Sequence, residues 1–388
     1  MKSRWPAAFQ VIDALERQGF EAVVVGGAVR DYLLDKRVKD YDVATSATPE
    51  EVKRVFTRTI DTGIAHGTVT VLMGQPVEVT TFRVETEYTD FRRPDTVQFV
   101  RNLKDDLARR DFTINAMALT KEDQLIDYYG GKVDLEQNVI RAVGEAEKRF
   151  SEDALRILRG IRFTSQLGFC IENQTDIAMK QCAALLTHIA KERVKQELDR
   201  IWTSANPEKA LRYLRQEELN KALPGDWQVL PSLTKGFLTA SLGWAWYHAF
   251  QPSRIDLPFS NVEKKLIQET NEVIERIHTY GWTYEAVFGF SKESVLVSHV
   301  VFSEASPFYT DEEVESWLTK APLRSLIDLS VSGRELIEWS AAKQGPWIRT
   351  LQQQIAQQIL QGHLENTQPA IKDWMKKNDT ETTNFRNS

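Results

Sequence analysis

The chain has 388 residues, long enough that two or more domains are expected rather than one compact core. Hydrophobic residues make up 42% and charged residues 27%, which excludes global disorder, and the net charge of −6 leaves a nucleic-acid partner open because a local basic surface can sit on an acidic whole. No apolar run reaches the roughly 18 residues of a membrane span, the start MKSRWPAAFQ lacks a signal-peptide core, and the two cysteines (Cys170 and Cys182) exclude a disulfide framework, so a cytoplasmic protein is expected.

In chain order, PAAFQVIDALERQGF carries helical spacing, and EAVVVGG reads as a strand ending in Gly26 and Gly27. TPEEVKRVF predicts a helix with Thr48 as N-cap and Pro49 at its first position. TVTVLMG, QPVEVTTFR and TVQFVRN follow as short strands rich in Val and Thr. ETEYTDFRRPDTVQFV, residues 85–100, reads as a long polar loop of the kind that is functional or disordered. Beyond about residue 150 the strand signals nearly stop. SEDALRILRGIRFTSQLGF, IAKERVKQELDRIWTS, NPEKALRYLRQ and WIRTLQQQIAQQILQG all have helical spacing, and this shift is the strongest domain boundary. WAWYHAF at 244–250 reads as helical core rather than a base-stacking surface, and KKNDTETTNFRNS as a disordered polar tail. The histidines show no metal-ligand spacing, and His66 is expected to be structural.

The chemistry is concentrated near the start. Asp40 and Asp42 stand at i and i+2, so in an extended segment they project from one face. Two such carboxylates repel unless a cation lies between them, and Mg²⁺ takes one or two hard oxygen ligands while keeping water and phosphate in its other positions. Glu78, between Val77 and Val79, offers a third carboxylate. Gly26 and Gly27 let backbone N–H groups approach a phosphate, and Arg30 stands one turn further on to meet its charge.

GGAVRD…DYDVATSATPEEV resembles the signature of class II nucleotidyltransferases, the family of bacterial tRNA nucleotidyltransferases (CCA-adding enzymes) and bacterial poly(A) polymerases. RRDFTINAMA (109–118), DYYGGKVDL (127–135), EDALRILRGIRF (152–163) and ERVKQEL (192–198) follow in order, so the resemblance spans about 175 residues and continues weakly into SGRELIEW…GPWIRTLQ. It implies an α+β chain: a polymerase-β-like nucleotidyltransferase head with a mixed β-sheet (1–145), then an all-α neck carrying a nucleotide-base template (146–210), a body (211–325), a tail that docks tRNA (326–375) and a disordered end (376–388). Asp40 and Asp42 would hold two Mg²⁺ ions, and Glu78 would be the third catalytic carboxylate. The ions would serve attack by an RNA 3′-hydroxyl on the α-phosphate of a nucleoside triphosphate.

The same resemblance gives Arg110, Asp111 and Asn115 to the sugar and triphosphate, on what the spacing predicts as a helix start with Phe112, Ile114 and Met117 in the core. Asp153 and Arg156 would form the template. On a helix they are neighbours at i and i+3, with Arg159 further along the same row and Arg162 about half a turn away. A carboxylate and a guanidinium match the amino donor and ring-nitrogen acceptor shared by cytosine and adenine and mismatch guanine and uracil. Arg159 and Arg162 are candidates to support triphosphate or template, Glu192 and Arg193 to buttress the template helix, and Gly130–Gly131 to form a hinge or an ordinary turn. A flexible loop containing Asp90, Arg92 and Arg93 would serve the switch from C to A. The partners implied are CTP, ATP and the 3′ end and elbow of tRNA, on a monomer or homodimer with no membrane. A poly(A) polymerase is the alternative within the fold, and a non-catalytic RNA-binding protein the alternative outside it.

Overall fold

The computed structural model describes residues 5–38, 41–63, 67–86, 96–251 and 255–378. Contacts divide the chain into two compact units, one of residues 1–236 with 255–258, the other of residues 237–254 with 259–388. The expected head and neck both fall in the first unit, and the expected body is divided between the two.

The first unit is built on a seven-stranded sheet. Its strands are β1 (Ala22–Val25), β2 (Asp42–Thr45), β3 (Thr59–Gly63), β4 (Thr68–Met73), β5 (Gln75–Thr81), β8 (Met117–Leu119) and β9 (Leu125–Asp127), in the order β3-β4-β5-β2-β1-β8-β9. β2 and β5 run parallel and the other neighbours antiparallel, so the sheet is mixed, as expected. α1 (Pro6–Arg17) packs on β1, β2, β4 and β5. Leu103 and Leu107 of α4 (Leu103–Ala108) join Val23, Val25, Ala44 and Ala118 in a second apolar cluster. With both faces covered, β1 is buried at all four positions, which is why its sequence shows no polar alternation. In α3 (Pro49–Val55) the Thr48 hydroxyl accepts from the Glu51 N–H, and Glu51 returns the bond to the Thr48 N–H.

The loop expected over 85–100 is corrected at its start, where residues 85–86 belong to a strand, and its end is the strand expected in TVQFVRN. β6 (Arg83–Thr86) and β7 (Thr96–Phe99) pair as an antiparallel ribbon with Arg83 opposite Phe99. Asp90, Arg92 and Arg93 lie outside the described residues, as do Asp40 and His66. After α5 (Gly131–Glu136) the unit turns helical through α6 (Ala146–Glu152), α7 (Leu155–Leu167), α8 (Asn173–Cys182) and α9 (Lys191–Trp202).

The second unit shows no strand among its described residues. Its helix Ala240–Phe250 buries Trp244, Trp246 and Tyr247, so the aromatic run is core, as the sequence indicated. Two further clusters form around Val273, Ile277 and Leu318 and around Leu336, Leu351 and Ile371. The last helix, Gln368–Lys377, takes in the first two residues of the expected tail. No helix among the described residues is long and apolar enough to cross a membrane.

Candidate active site

A cavity of about 680 Å³ in the first unit gathers Asp42 with Gly26, Gly27, Arg30, Arg110, Asp111, Asn115, Asp153, Arg156, Arg159 and Arg162. Segments up to 136 positions apart thus converge where the sequence expected nucleotide to bind. Arg83, Arg109, Leu155, Phe163 and Arg200 also line it, and no short motif had given them a role.

The carboxylates are placed by strand register. Asp42 and Glu78 are direct Cα partners across the parallel β2–β5 pair, so they point to the same face. Val77 and Val79 are buried while Glu78 is exposed, which is the alternation the sequence suggested. Two hard oxygen donors side by side, of which Asp42 lines the arginine-rich cavity and Glu78 does not, suit a divalent ion that also binds phosphate. The third donor, Asp40, lies outside the described residues, and among those described no group of three His, Cys, Asp or Glu stands ready to hold a metal.

The two glycines differ in necessity. Gly26 has φ +71°, so its conformation demands glycine, and a Cβ there would lie 2.9 Å from Arg110 Nη1 and 3.8 Å from Asp42 Oδ2, displacing the tip of that arginine. A Cβ on Gly27 would meet only Arg30 Nη2 at 3.5 Å, an ordinary contact. Gly27 opens α2 (Gly27–Leu33), whose Arg30 donates to Asn115 Oδ1 at 2.8 Å and to Asp31 Oδ1.

RRDFTINAMA is not a helix start. A single 3₁₀ turn, Thr113–Asn115, leads straight into β8. Phe112, Ile114 and Met117 are core as expected, but burial on every side of a short strand mimics helical spacing. Asp111 fixes the turn: its Oδ1 accepts from the Phe112 N–H at 2.8 Å and from Asn115 Nδ2 at 3.0 Å, and its Oδ2 from Arg159 Nε at 2.9 Å. Burial alone would raise the Asp111 carboxyl. The Arg159 guanidinium and these hydrogen bonds more than reverse that, holding it well below the ordinary carboxylate range.

The template segment differs from a continuous helix. α6 ends at Glu152, Asp153 is extended (φ −146°, ψ 101°) and α7 starts at Leu155. Asp153 Oδ1 accepts the Leu155 N–H at 3.1 Å, so its short side chain forms a local turn at the break between the two helices. Asp153 and Arg156 are therefore not a helical i, i+3 pair, although both line the cavity. Arg156 is anchored by Glu152 Oε2 at 2.9 Å and by the carbonyls of Arg149 and Arg109 at 3.1 and 2.9 Å.

Support from ERVKQEL is real but comes partly from other residues than expected. Arg193 Nη2 binds Asp153 Oδ2 at 2.8 Å, whereas Glu192 is exposed. Glu197, which the sequence left without a role, is buried and takes Arg162 Nε at 2.6 Å and Arg200 Nη1 at 3.2 Å. The guanidinium carbons of Arg30, Arg159 and Arg162 stand 5.2, 5.9 and 4.3 Å from the ring centre of Phe163, so one ring spaces three cations. In the glycine pair of DYYGGKVDL, Gly130 takes a left-handed φ of +76° in open space and Gly131 is closely packed. A Cβ on Gly131 would lie 2.3 Å from the Thr113 carbonyl oxygen, and Asp127 accepts the Tyr129, Gly131 and Lys132 N–H groups.

Comparison with known proteins agrees along the whole chain. Family models described as the poly A polymerase head domain, a probable RNA and SrmB-binding site of polymerase A, and tRNA nucleotidyltransferase domain 2 (putative) match residues 22–141, 168–227 and 250–375. A CCA-adding enzyme of Bacillus cytotoxicus is 38% identical over 96% of this chain and 98% of its own length. One of Geobacillus stearothermophilus is 37% identical over 99% of this chain and all of its own. The crystal structure of a Bacillus stearothermophilus CCA-adding enzyme in complex with CTP superimposes with a TM-score of 0.80 at 35% identity, covering 99% of this chain and 100% of that one. Motif order, site geometry and identity over nearly the full length agree, and the chain belongs to the family of CCA-adding enzymes.

Proposed function

We propose that this chain, in the cytoplasm, adds C, C and A to the 3′ end of tRNA from CTP and ATP, without a nucleic-acid template and with release of pyrophosphate. The observation that carries this reading is that one cavity holds both the carboxylate Asp42 and the base-reading candidates Asp153 and Arg156. Family membership supports it.

The side chains divide the work by charge. Gly26 leaves room for Arg110 and for a phosphate beside it, and Arg30 and Arg110 meet triphosphate oxygens as charge-assisted donors. Asp111 and Asn115, bonded to each other, accept and donate toward the ribose hydroxyls. The cytosine or adenine amino group donates to Asp153, and an Arg156 N–H fills the adjacent ring acceptor. Guanine or uracil would set a carbonyl against the Asp153 carboxylate and a ring N–H against the Arg156 guanidinium, acceptor facing acceptor and donor facing donor. Arg159 and Arg162, held by Asp111 and Glu197, keep the far wall positive. Asp40 and Asp42 would hold two Mg²⁺ ions, with Glu78 the third carboxylate, and the ions when bound neutralise charge on the attacking and leaving oxygens. Residues 90–93 would serve the change from C to A. Residues 326–375, including GPWIRTLQ, would dock the tRNA elbow.

The test is incubation with a tRNA lacking its 3′ end and each nucleotide singly and in pairs. Two additions with CTP alone, three with CTP and ATP together, and none with UTP or GTP are expected. A long run of A from ATP alone would replace this reading by a poly(A) polymerase.

A further inference from the structure

Beneath the cavity lies a carboxylate that no motif had singled out. Asp106, on α4, is fully buried. Its Oδ1 accepts from Arg109 Nε and Nη2 at 3.0 and 2.7 Å, and its Oδ2 from Arg110 Nη2 at 3.1 Å. The Arg83 N–H, at the base of the β6–β7 ribbon, approaches Oδ1 at 3.4 Å. Both arginines keep 16–18% of their side chains exposed and line the cavity, so one buried anion carries two cations on the cavity wall.

Each cation leads to a different part of the site. A point beside Gly26 lies 2.9 Å from Arg110 Nη1 and 3.8 Å from Asp42 Oδ2, so the guanidinium and the metal-site carboxylate flank the same spot, and Arg110 Nη1 also reaches the Asn115 carbonyl at 3.5 Å. The Arg109 carbonyl accepts Arg156 Nη2 at 2.9 Å, so the backbone of the other arginine holds the base-reading guanidinium. An arginine beside Asp42 with nothing to restrain it would pair with that carboxylate and compete with a metal ion for it.

We propose that Asp106 is a positioning residue: it holds Arg110 away from Asp42 and toward incoming phosphate, and through Arg109 it fixes the height of Arg156. Asp106 itself touches no substrate. The inference rests on the nucleotidyltransferase reading of the cavity.

The test is a double-mutant cycle read by calorimetric binding of inorganic pyrophosphate to the full chain with Mg²⁺. Asp106→Asn keeps the shape and removes the charge, and it should weaken pyrophosphate binding by roughly tenfold. In an Arg110→Ala background the same change should have less than about a twofold effect, because the arm it positions is gone. Asp106→Glu, which keeps the charge but lengthens the arm, should also weaken binding and replaces Asp106→Asn if that variant does not fold. Unchanged affinity in the singly substituted protein, or an equal factor in both backgrounds with a fallen melting temperature, would overturn the proposal and leave Asp106 a structural ion pair. A wild-type protein that binds neither pyrophosphate nor CTP would overturn the reading of the cavity instead.

Discussion

Asp111 shows how one buried charge makes its own pH dependence. Its carboxyl is held below the ordinary range in the folded state, so its stabilisation is complete above the unfolded value of about 4 and fades as pH falls toward the folded one. Asp106, which burial would raise but Arg109 and Arg110 lower, adds in the same direction. Thermal melts should show the wild type losing stability below about pH 4. Asp111→Asn should cost about 3 kcal/mol at neutral pH, the low end for a broken buried pair because Arg159 keeps 35% of its side chain exposed, and should melt with a shallower acid dependence. Parallel acid slopes for the two proteins would contradict this. A second expectation concerns base choice. Asp153→Ala and Arg156→Ala should each lower the CTP-over-UTP preference, with about 1.5–3 kcal/mol per lost charged hydrogen bond, and spare some turnover. An unchanged ratio with a lower melting temperature would make them structural. These residues were legible in the sequence because chemical type and close spacing suffice to mark them. Glu197 and Phe163 were not, since Arg162 and Arg30 reach them from distant segments, and Asp106 was not, since only its burial sets its close-spaced ion pairs with Arg109 and Arg110 apart from ordinary surface salt bridges.

Among the elements, the joint between α5 and the Thr113 turn is a sensitive one. Gly131→Ala would drive a Cβ into the Thr113 carbonyl, which is backbone and has nowhere to swing. The turn it displaces carries Asn115, so melting temperature should fall and KM for CTP should rise together. Gly27→Ala meets only the end of a flexible Arg30 and should leave the melting temperature nearly unchanged. Equal losses from the two substitutions would contradict the claim that the close approach to the Thr113 carbonyl decides. Strand and helix identities in the first unit followed from Val-rich runs and from the Thr48 cap, because local chemistry sets them. The start of β8 and the break at Asp153 did not. β8 is too short and too buried to alternate, and a single aspartate inside an apolar helical pattern leaves the period intact.

On the scale of the molecule, composition and packing draw different borders. The sequence changes from mixed to helical near 150, yet α7 packs back on the sheet unit, with Phe163 edge-on to Phe112 at 5.9 Å and Gly160 leaving room for Phe112 and Met179. Composition reports the kind of element, and only contacts report which elements share a core. The net charge of −6 has a consequence as well. Binding of tRNA must then depend on local arginine and lysine surface and should weaken steeply as salt rises, with a linear log–log slope from counterion release. CTP, which presents far fewer phosphates than a tRNA, should respond far less. Filter binding of tRNA across salt concentrations alongside CTP calorimetry would check this, and equal slopes would argue against an extended phosphate contact surface.

The pairing of β2 with β5 turns a hairpin bend into a gauge for the reaction centre. Met73 faces Gln75 across Gly74, whose φ of +79° closes the bend, and from that fixed end the ladder counts upward until Glu78 falls beside Asp42. One residue inserted after Gly74 would have two ways to be absorbed. Either a bulge takes it up and the carboxylates stay level, or β5 slides by one and presents valine to the cavity while Glu78 turns into the core. The distance between the two acids is thus written in the backbone several residues away, where no charged group stands.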